Sequence, residues 1–217
     1  MQPYTMTAKD HRANARRYLG DRIFDNKWLL ALLVMLIYSL IISTASSLTG
    51  GIASMIITGP MMAGLAKSFL ALSRKGEIRI ETMFESFDDD FLQNMLIGIM
   101  TGIFTFLWSL LFIIPGIVKS YAYSMAYFIK IDHPEYNWKT CLDESQRIMK
   151  GNKWRLFCLD MSFIGWILLS YVTCLIGAFW VSPYIQAAHV SFYESIKDDS
   201  FFTNYNQSSY DMPNQFV

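Results

Sequence analysis

The sequence predicts an all-α, polytopic helical membrane protein, with about six transmembrane helices arranged as three hairpins. Three observations carry that expectation. The chain of 217 residues is 53% hydrophobic and only 17% charged, with a mean hydropathy of +0.27, whereas soluble domains carry about 25% charged residues. Trp28 to Leu48 (WLLALLVMLIYSLIISTASSL) holds no charge and is long enough to cross ~30 Å of hydrocarbon. Leu92 to Val118 is a second uncharged run, and 52–72 and 156–196 are mostly apolar. A soluble helical fold would need polar faces at helical period, and these runs have none.

The elements follow a repeated order. Threonine followed three residues later by an acid is a capping-box helix start, and it occurs at Thr7–Asp10, Thr82–Glu85 and Thr140–Asp143. Each opens a short amphipathic segment, expected to be cytoplasmic. The second places Phe84, Phe87 and Phe91 on one face, as an interfacial helix would. An asparagine and an apolar run come next: NKW at 26–28 and again at 152–154, with Asn94 alone in the middle copy. Each run then reaches a proline, Pro60, Pro115 or Pro183, and the apolar stretch beyond it ends in charge at Arg74, Lys130 or Lys197. The expected organisation is a single membrane domain over 1–197 with internal repeats 7–73, 80–131 and 138–197. A polar, disordered cytoplasmic tail over 198–217 follows.

Tips are expected at TGG (49–51), at Pro115-Gly116 and at TCLIG (173–177), with Pro60 and Pro183 as further breaks. Proline lacks the helical donor and disfavours helix in the residue before it. Lys and Arg concentrate on the side opposite those tips, in the N-terminal segment, 73–91 and 132–153, including Arg16, Arg17, Arg22, Arg74, Lys75, Arg147 and Lys150. The positive-inside rule then places both termini in the cytoplasm of a multi-pass cell-membrane protein. Trp28 and Trp154 suit the inner interface, and Trp108 and Trp180 the outer one.

Lys119 is the sharpest candidate for chemistry. Counted from Lys130 it lies about 16 Å deep, where a lysine costs roughly 2.5–3.5 kcal/mol on insertion scales. Asp160 is its expected partner. His189 completes the candidate intramembrane polar site, read as a satisfied polar residue among helices. Gly98 and Gly102 form a GxxxG suited to close helix packing, within one chain or between chains. The acidic run 88–90 reads as a solvated loop.

No G-x-S-x-G elbow, P-loop or G-x-G-x-x-G is present, so no enzyme activity, cofactor or metal is expected. The 18 basic and 18 acidic side chains cancel, which argues against nucleic acid as a partner. Cys141, Cys158 and Cys174 have no ligand spacing.

Several stretches together, LWSLLFIIPGIVKSYAYSMAYF (107–128), ESQRIMKGNKWRLFCLDMSFIGWILL (144–169), TCLIGAFWVSPY (173–184) and FY (192–193), resemble the domain-of-unknown-function 975 family. Those are uncharacterised integral membrane proteins found mainly in Gram-positive bacteria. The resemblance runs from about Arg12 to Tyr193 and implies a multi-spanning cytoplasmic-membrane protein, with no activity or site residue to carry over. The expected function is non-catalytic: binding of lipid, anionic lipids included, or of a partner membrane protein, in envelope homeostasis or immunity. The alternative is a small transporter or channel with a midplane site at Lys119. The sequence leaves the oligomeric state open.

Overall fold

A computed structural model describes residues 6–20, 26–49, 51–87, 90–172 and 176–210. Within these the chain is all-helical, with eleven α-helices in order. They are α1 (Ala8–Leu19), α2 (Asn26–Thr49), α3 (Ile52–Lys75), α4 (Ile80–Glu85), α5 (Phe91–Leu111), α6 (Ile113–Tyr123), α7 (Ala126–Asp132), α8 (Trp138–Ile148), α9 (Lys153–Met161), α10 (Ile164–Val172) and α11 (Ile176–Tyr210). Three of them, α2, α3 and α5, are long and apolar enough to cross a bilayer, not six. The other apolar stretches are divided: α6 from α7 at Ser124-Met125, and α9 from α10 at Ser162-Phe163.

α3 is the central helix. It packs against α2, α4, α5, α7 and α11, and much of its apolar length is buried, whereas little of α2 or α5 is. Small residues allow this. A Cβ on Gly59 would collide with the Asn94 carbonyl of α5, and one on Gly64 with the Met83 carbonyl of α4. Gly98 of α5 faces Gly59, and a Cβ there would lie 3.0 Å from the Gly59 Cα. A Cβ on Gly102, the other half of the expected GxxxG, would meet nothing within 4 Å among the described residues. Of the pair, Gly98 sits at the α3–α5 crossing, which falls one turn before Gly102.

The prolines correct the expected breaks. Pro60 lies inside α3 and Pro183 inside α11, both buried. Apolar helices tolerate proline where neighbouring elements cover the freed backbone. The second tip is Phe112, whose extended backbone (φ −157°) separates α5 from α6. Pro115 falls in the first turn of α6, where its missing N–H would lack an intrahelical partner in any case. Gly116 is a contact rather than a breaker, since a Cβ would lie 2.8 Å from the Ser109 Cα of α5. The first tip matches TGG: α2 ends at Thr49 and Gly51 caps α3 with φ +97°. Residues 173–175 of the third tip lie outside the described residues.

Of the three capping boxes, only Thr7–Asp10 forms. α4 is preceded by Arg79, so Thr82 is internal. Asn137 caps α8 by accepting from the Thr140 amide at 2.9 Å. Phe84, Phe87 and Phe91 do form an aromatic series, with centroids 6.4 and 6.0 Å apart. α11 continues to Tyr210 and so takes in 198–210, the first part of the expected tail. No Gly or Pro falls between Pro183 and Pro213, and extending a formed helix needs no new nucleus.

The amphipathic helices do not lie apart from the bundle. Ser145 of α8 donates to the Ala122 carbonyl at 2.8 Å and accepts from the Met125 amide at 3.2 Å, which satisfies the α6–α7 break. Arg12 of α1 donates to the Ser162 carbonyl at 3.4 Å, at the α9–α10 break. Trp28 and Trp180, expected at opposite interfaces, are ring neighbours with centroids 6.3 Å apart. They occupy one layer, because α11 runs past the start of α2 rather than ending there.

Candidate functional site

The structure brings together two of the three residues of the expected intramembrane site. Asp160 of α9 meets His189 of α11, with Oδ1 2.7 Å from Nε2, and its Oδ2 accepts from the Tyr121 hydroxyl of α6 at 2.9 Å. Both carboxylate oxygens are thereby engaged, and three helices are tied at one point. Lys119 is elsewhere. Its Nζ donates to Gln146 Oε1 of α8 at 2.9 Å and lies 5.3 and 5.7 Å over the rings of Trp108 and Tyr123. The expected Lys119–Asp160 pair does not form, because α8 enters beside α6 and supplies a neutral acceptor. Tyr121 and His189 take the carboxylate.

A denser polar layer lies where the charged ends of α3 and α7 meet α11. Arg74 makes a two-pronged bond to Asp132, at 2.6 and 2.9 Å, and its Nε donates to Glu194 at 2.7 Å. Lys197 and Tyr193 add bonds to Asp132 at 2.5 and 2.8 Å. Burial works against the Asp132 charge, yet the bonds from Arg74, Lys197 and Tyr193 outweigh it and hold the carboxyl down at about 2. In the sequence, Arg74 and Lys197 stand out only as the charged ends of two repeats. Their meeting at Asp132 was not legible, because it depends on how α3, α7 and α11 pack.

Lys130 is 5% exposed and uses its ammonium fully, on the Pro134 and Tyr136 carbonyls at 2.6 and 2.9 Å and on Asp90 at 3.0 Å. It latches α7 to the start of α5. Asp90 is thus a structural anchor, while the other two acids of the run, 88 and 89, lie outside the described residues. Burial pushes the Cys141 thiol of α8 up to about 11, which keeps it protonated. Cys174 lies outside the described residues.

Two cavities open in this layer. A small chamber of about 80 Å³ is lined by Ala63, Lys67, Ser86, Asp90, Asn94 and Lys130, among others. A larger one of about 430 Å³ shares Lys67 and Ile131 with it and adds Arg74, Lys75, Arg79, Glu77 and Glu85. Asn94 is 4% exposed. Its Nδ2 donates to the Ser86 carbonyl at 3.3 Å, which fixes the amide's orientation, and its Oδ1 has no hydrogen-bond partner among the described residues. In the sequence, Asn94 stands out only as a repeat marker. Among the described residues, no three His, Cys, Asp or Glu side chains cluster as a metal site would require.

These features define an all-helical protein with membrane-length apolar helices and a polar layer at one end. The chain belongs to the family described as "Protein of unknown function (DUF975)", whose model matches residues 6–119 and 111–200. No curated protein and no solved structure matches the chain.

Proposed function

We propose that this is a multi-pass membrane protein of six membrane-inserted segments in three hairpins, which binds lipid headgroups through its cytoplasmic polar layer and carries out no reaction. The observation that carries the reading is the Arg74–Asp132–Glu194–Lys197 cluster. It joins the ends of α3 and α7 to α11 on one side, which supports a chain that goes out and returns between them. Three helices are of full membrane length. The pairs α6–α7 and α9–α10 each cover about 30 Å at 1.5 Å per residue, and both breaks are covered by polar groups from α8 and α1. Irregular backbone at membrane depth requires such cover.

Exposed apolar side chains support insertion. Phe106, Leu110, Leu111, Phe112, Ile113 and Ile114 are each between 63% and 76% exposed around the α5–α6 tip. A contiguous apolar patch on that scale marks a lipid or partner surface. The positive-inside rule puts the opposite, charged end in the cytoplasm, together with both termini.

The transporter reading has less support, since the Lys119 ammonium is engaged by Gln146 and lies over the rings of Trp108 and Tyr123. Native mass spectrometry of the complete chain, extracted in mild detergent, tests the lipid reading. Lipid adducts that survive release from the micelle are the expected result. A consistently bare monomer, or a co-purifying protein in place of lipid, would overturn it.

A further inference from the structure

Two cationic stretches that no carboxylate neutralises meet where α9 begins beside α1. Within α1 the exposed side chains are Lys9, Ala13, Arg16 and Arg17. Their spacing of four, three and one puts them on the face opposite the buried His11, Ala15 and Leu19, as helical period requires. The one acid of α1, Asp10, is turned back onto Thr7 in the capping box. Among the described residues, Lys9 and Arg17 pair with no acid. Arg16 has only the Tyr184 hydroxyl and ring.

The second stretch is the turn between α8 and α9. Lys150 is exposed and Lys153 half-buried, and neither pairs with an acid among the described residues. Trp154 beside them is 70% exposed. Its ring is stacked on Phe157 with centroids 5.1 Å apart, which holds it at the surface. Arg155 donates to the Met6 carbonyl at 3.3 Å and so brings this turn against the chain that enters α1. The exposed side of α9 then continues apolar, from Trp154 through Cys158 to Met161.

A cationic face bordered by an exposed aromatic and apolar one matches a bilayer surface of anionic headgroups. Basic residues meet the headgroup charge there, and tryptophan sits at headgroup level. An acidic protein partner would satisfy the cations but not cover the apolar side of α9. We propose that the exposed face of α1 and the turn at Lys150, Lys153 and Trp154 dock on the anionic leaflet of the membrane, recognising negative headgroups by charge rather than by shape. The inference rests on the membrane reading above and names the lipid class.

The test uses the full chain in proteoliposomes. Ala13→Cys, in a background with Cys141, Cys158 and Cys174 replaced, carries an environment-sensitive fluorophore. Phosphatidylcholine vesicles are compared with vesicles that also hold phosphatidylglycerol or phosphatidylserine, and acrylamide quenching reports exposure to water. Either anionic lipid is expected to blue-shift the probe and reduce quenching. Salt should reverse both effects, since exposed charges are screened over ~10 Å. Lys9→Gln with Lys150→Gln and Lys153→Gln should abolish the shift without lowering the melting temperature. Should the cysteine-replaced background fail to fold, spin-labelled phosphatidylglycerol and phosphatidylcholine on the wild type make the same comparison, and a salt-sensitive preference for the first is expected. A probe equally open to acrylamide in all vesicles, a shift that ignores salt and charge, or equal association of the two spin-labelled lipids would overturn this surface. So would protection that appears only with a co-purifying acidic protein. Lipid adducts in native mass spectrometry beside a charge-blind probe would overturn this surface alone. A bare chain with a charge-sensitive probe would overturn the bound-lipid reading alone.

Discussion

The Ser145 hydroxyl of α8 donates to the Ala122 carbonyl across the α6–α7 break, and the same oxygen receives the Met125 amide. One side chain thus closes both open backbone groups at a point where the fourth apolar segment stops being a single helix. Ser145→Ala leaves a buried carbonyl and amide unmatched, each worth about 1–3 kcal/mol. The expected outcome is a clear fall in melting temperature in detergent. An unchanged melting temperature would mean that the break is satisfied by other groups.

The α3–α5 crossing predicts a contrast between two glycines. Gly59→Ala drives a methyl into the Asn94 carbonyl and should cost about 1–3 kcal/mol, as overpacking does. Gly102→Ala meets open space and should be neutral or stabilise by roughly 0.5–1 kcal/mol through helix propensity. Thermal unfolding of both variants checks the contrast. A loss at Gly102 would place a second chain against that face.

Lys119 faces Gln146 and two aromatic rings rather than a carboxylate. Lys119→Met keeps the aliphatic contacts and leaves no acid unpaired, so the melting temperature should hold or rise. Breaking a buried ion pair costs about 3–5 kcal/mol, and a fall on that scale would mean that the lysine has an ionic partner.

Asp132 predicts a pH dependence. Its carboxyl sits at about 2 in the fold against an ordinary 3.8, so between those values the unfolded chain binds more protons. The stability it contributes is present above about pH 4 and is lost as pH falls toward 2, by about 2 kcal/mol. Asp132→Asn should be less stable at neutral pH and should lose less on acidification through that window. Melting curves across pH 6 to about 2 for both proteins check this, and parallel slopes would refute it.

Much of this fold was legible because apolar length and charge placement are local properties. α2 and α5 could be read from uncharged runs, α3 from a mostly apolar one, and the TGG tip from its glycines. Proline misled, since Pro60 and Pro183 look like breaks in isolation yet are tolerated within a packed bundle. The real breaks, at Ser124-Met125 and Ser162-Phe163, leave no sequence mark because they depend on Ser145 and Arg12 arriving from distant helices. The polar site divided in the same way. Asp160, His189 and Lys119 stand out as polar residues in apolar runs, but whether Asp160 takes the lysine or the histidine is decided by which helices are neighbours. Asn94 was visible only as a repeated letter. Its unmatched oxygen is a fact of packing.

The central claim is that the chain goes out and returns within each hairpin, and cysteine accessibility in intact cells tests it most directly. In a background with Cys141, Cys158 and Cys174 replaced, Ser47→Cys, Lys75→Cys and Glu135→Cys are each treated with a membrane-impermeant maleimide. The account predicts that Ser47→Cys labels from outside, while Lys75→Cys and Glu135→Cys label only after permeabilisation. Labelling of Ser47→Cys and Lys75→Cys from one side would mean that α3 does not cross. Labelling of Lys75→Cys and Glu135→Cys from opposite sides would mean that α6–α7 does not return, and either result would contradict the account.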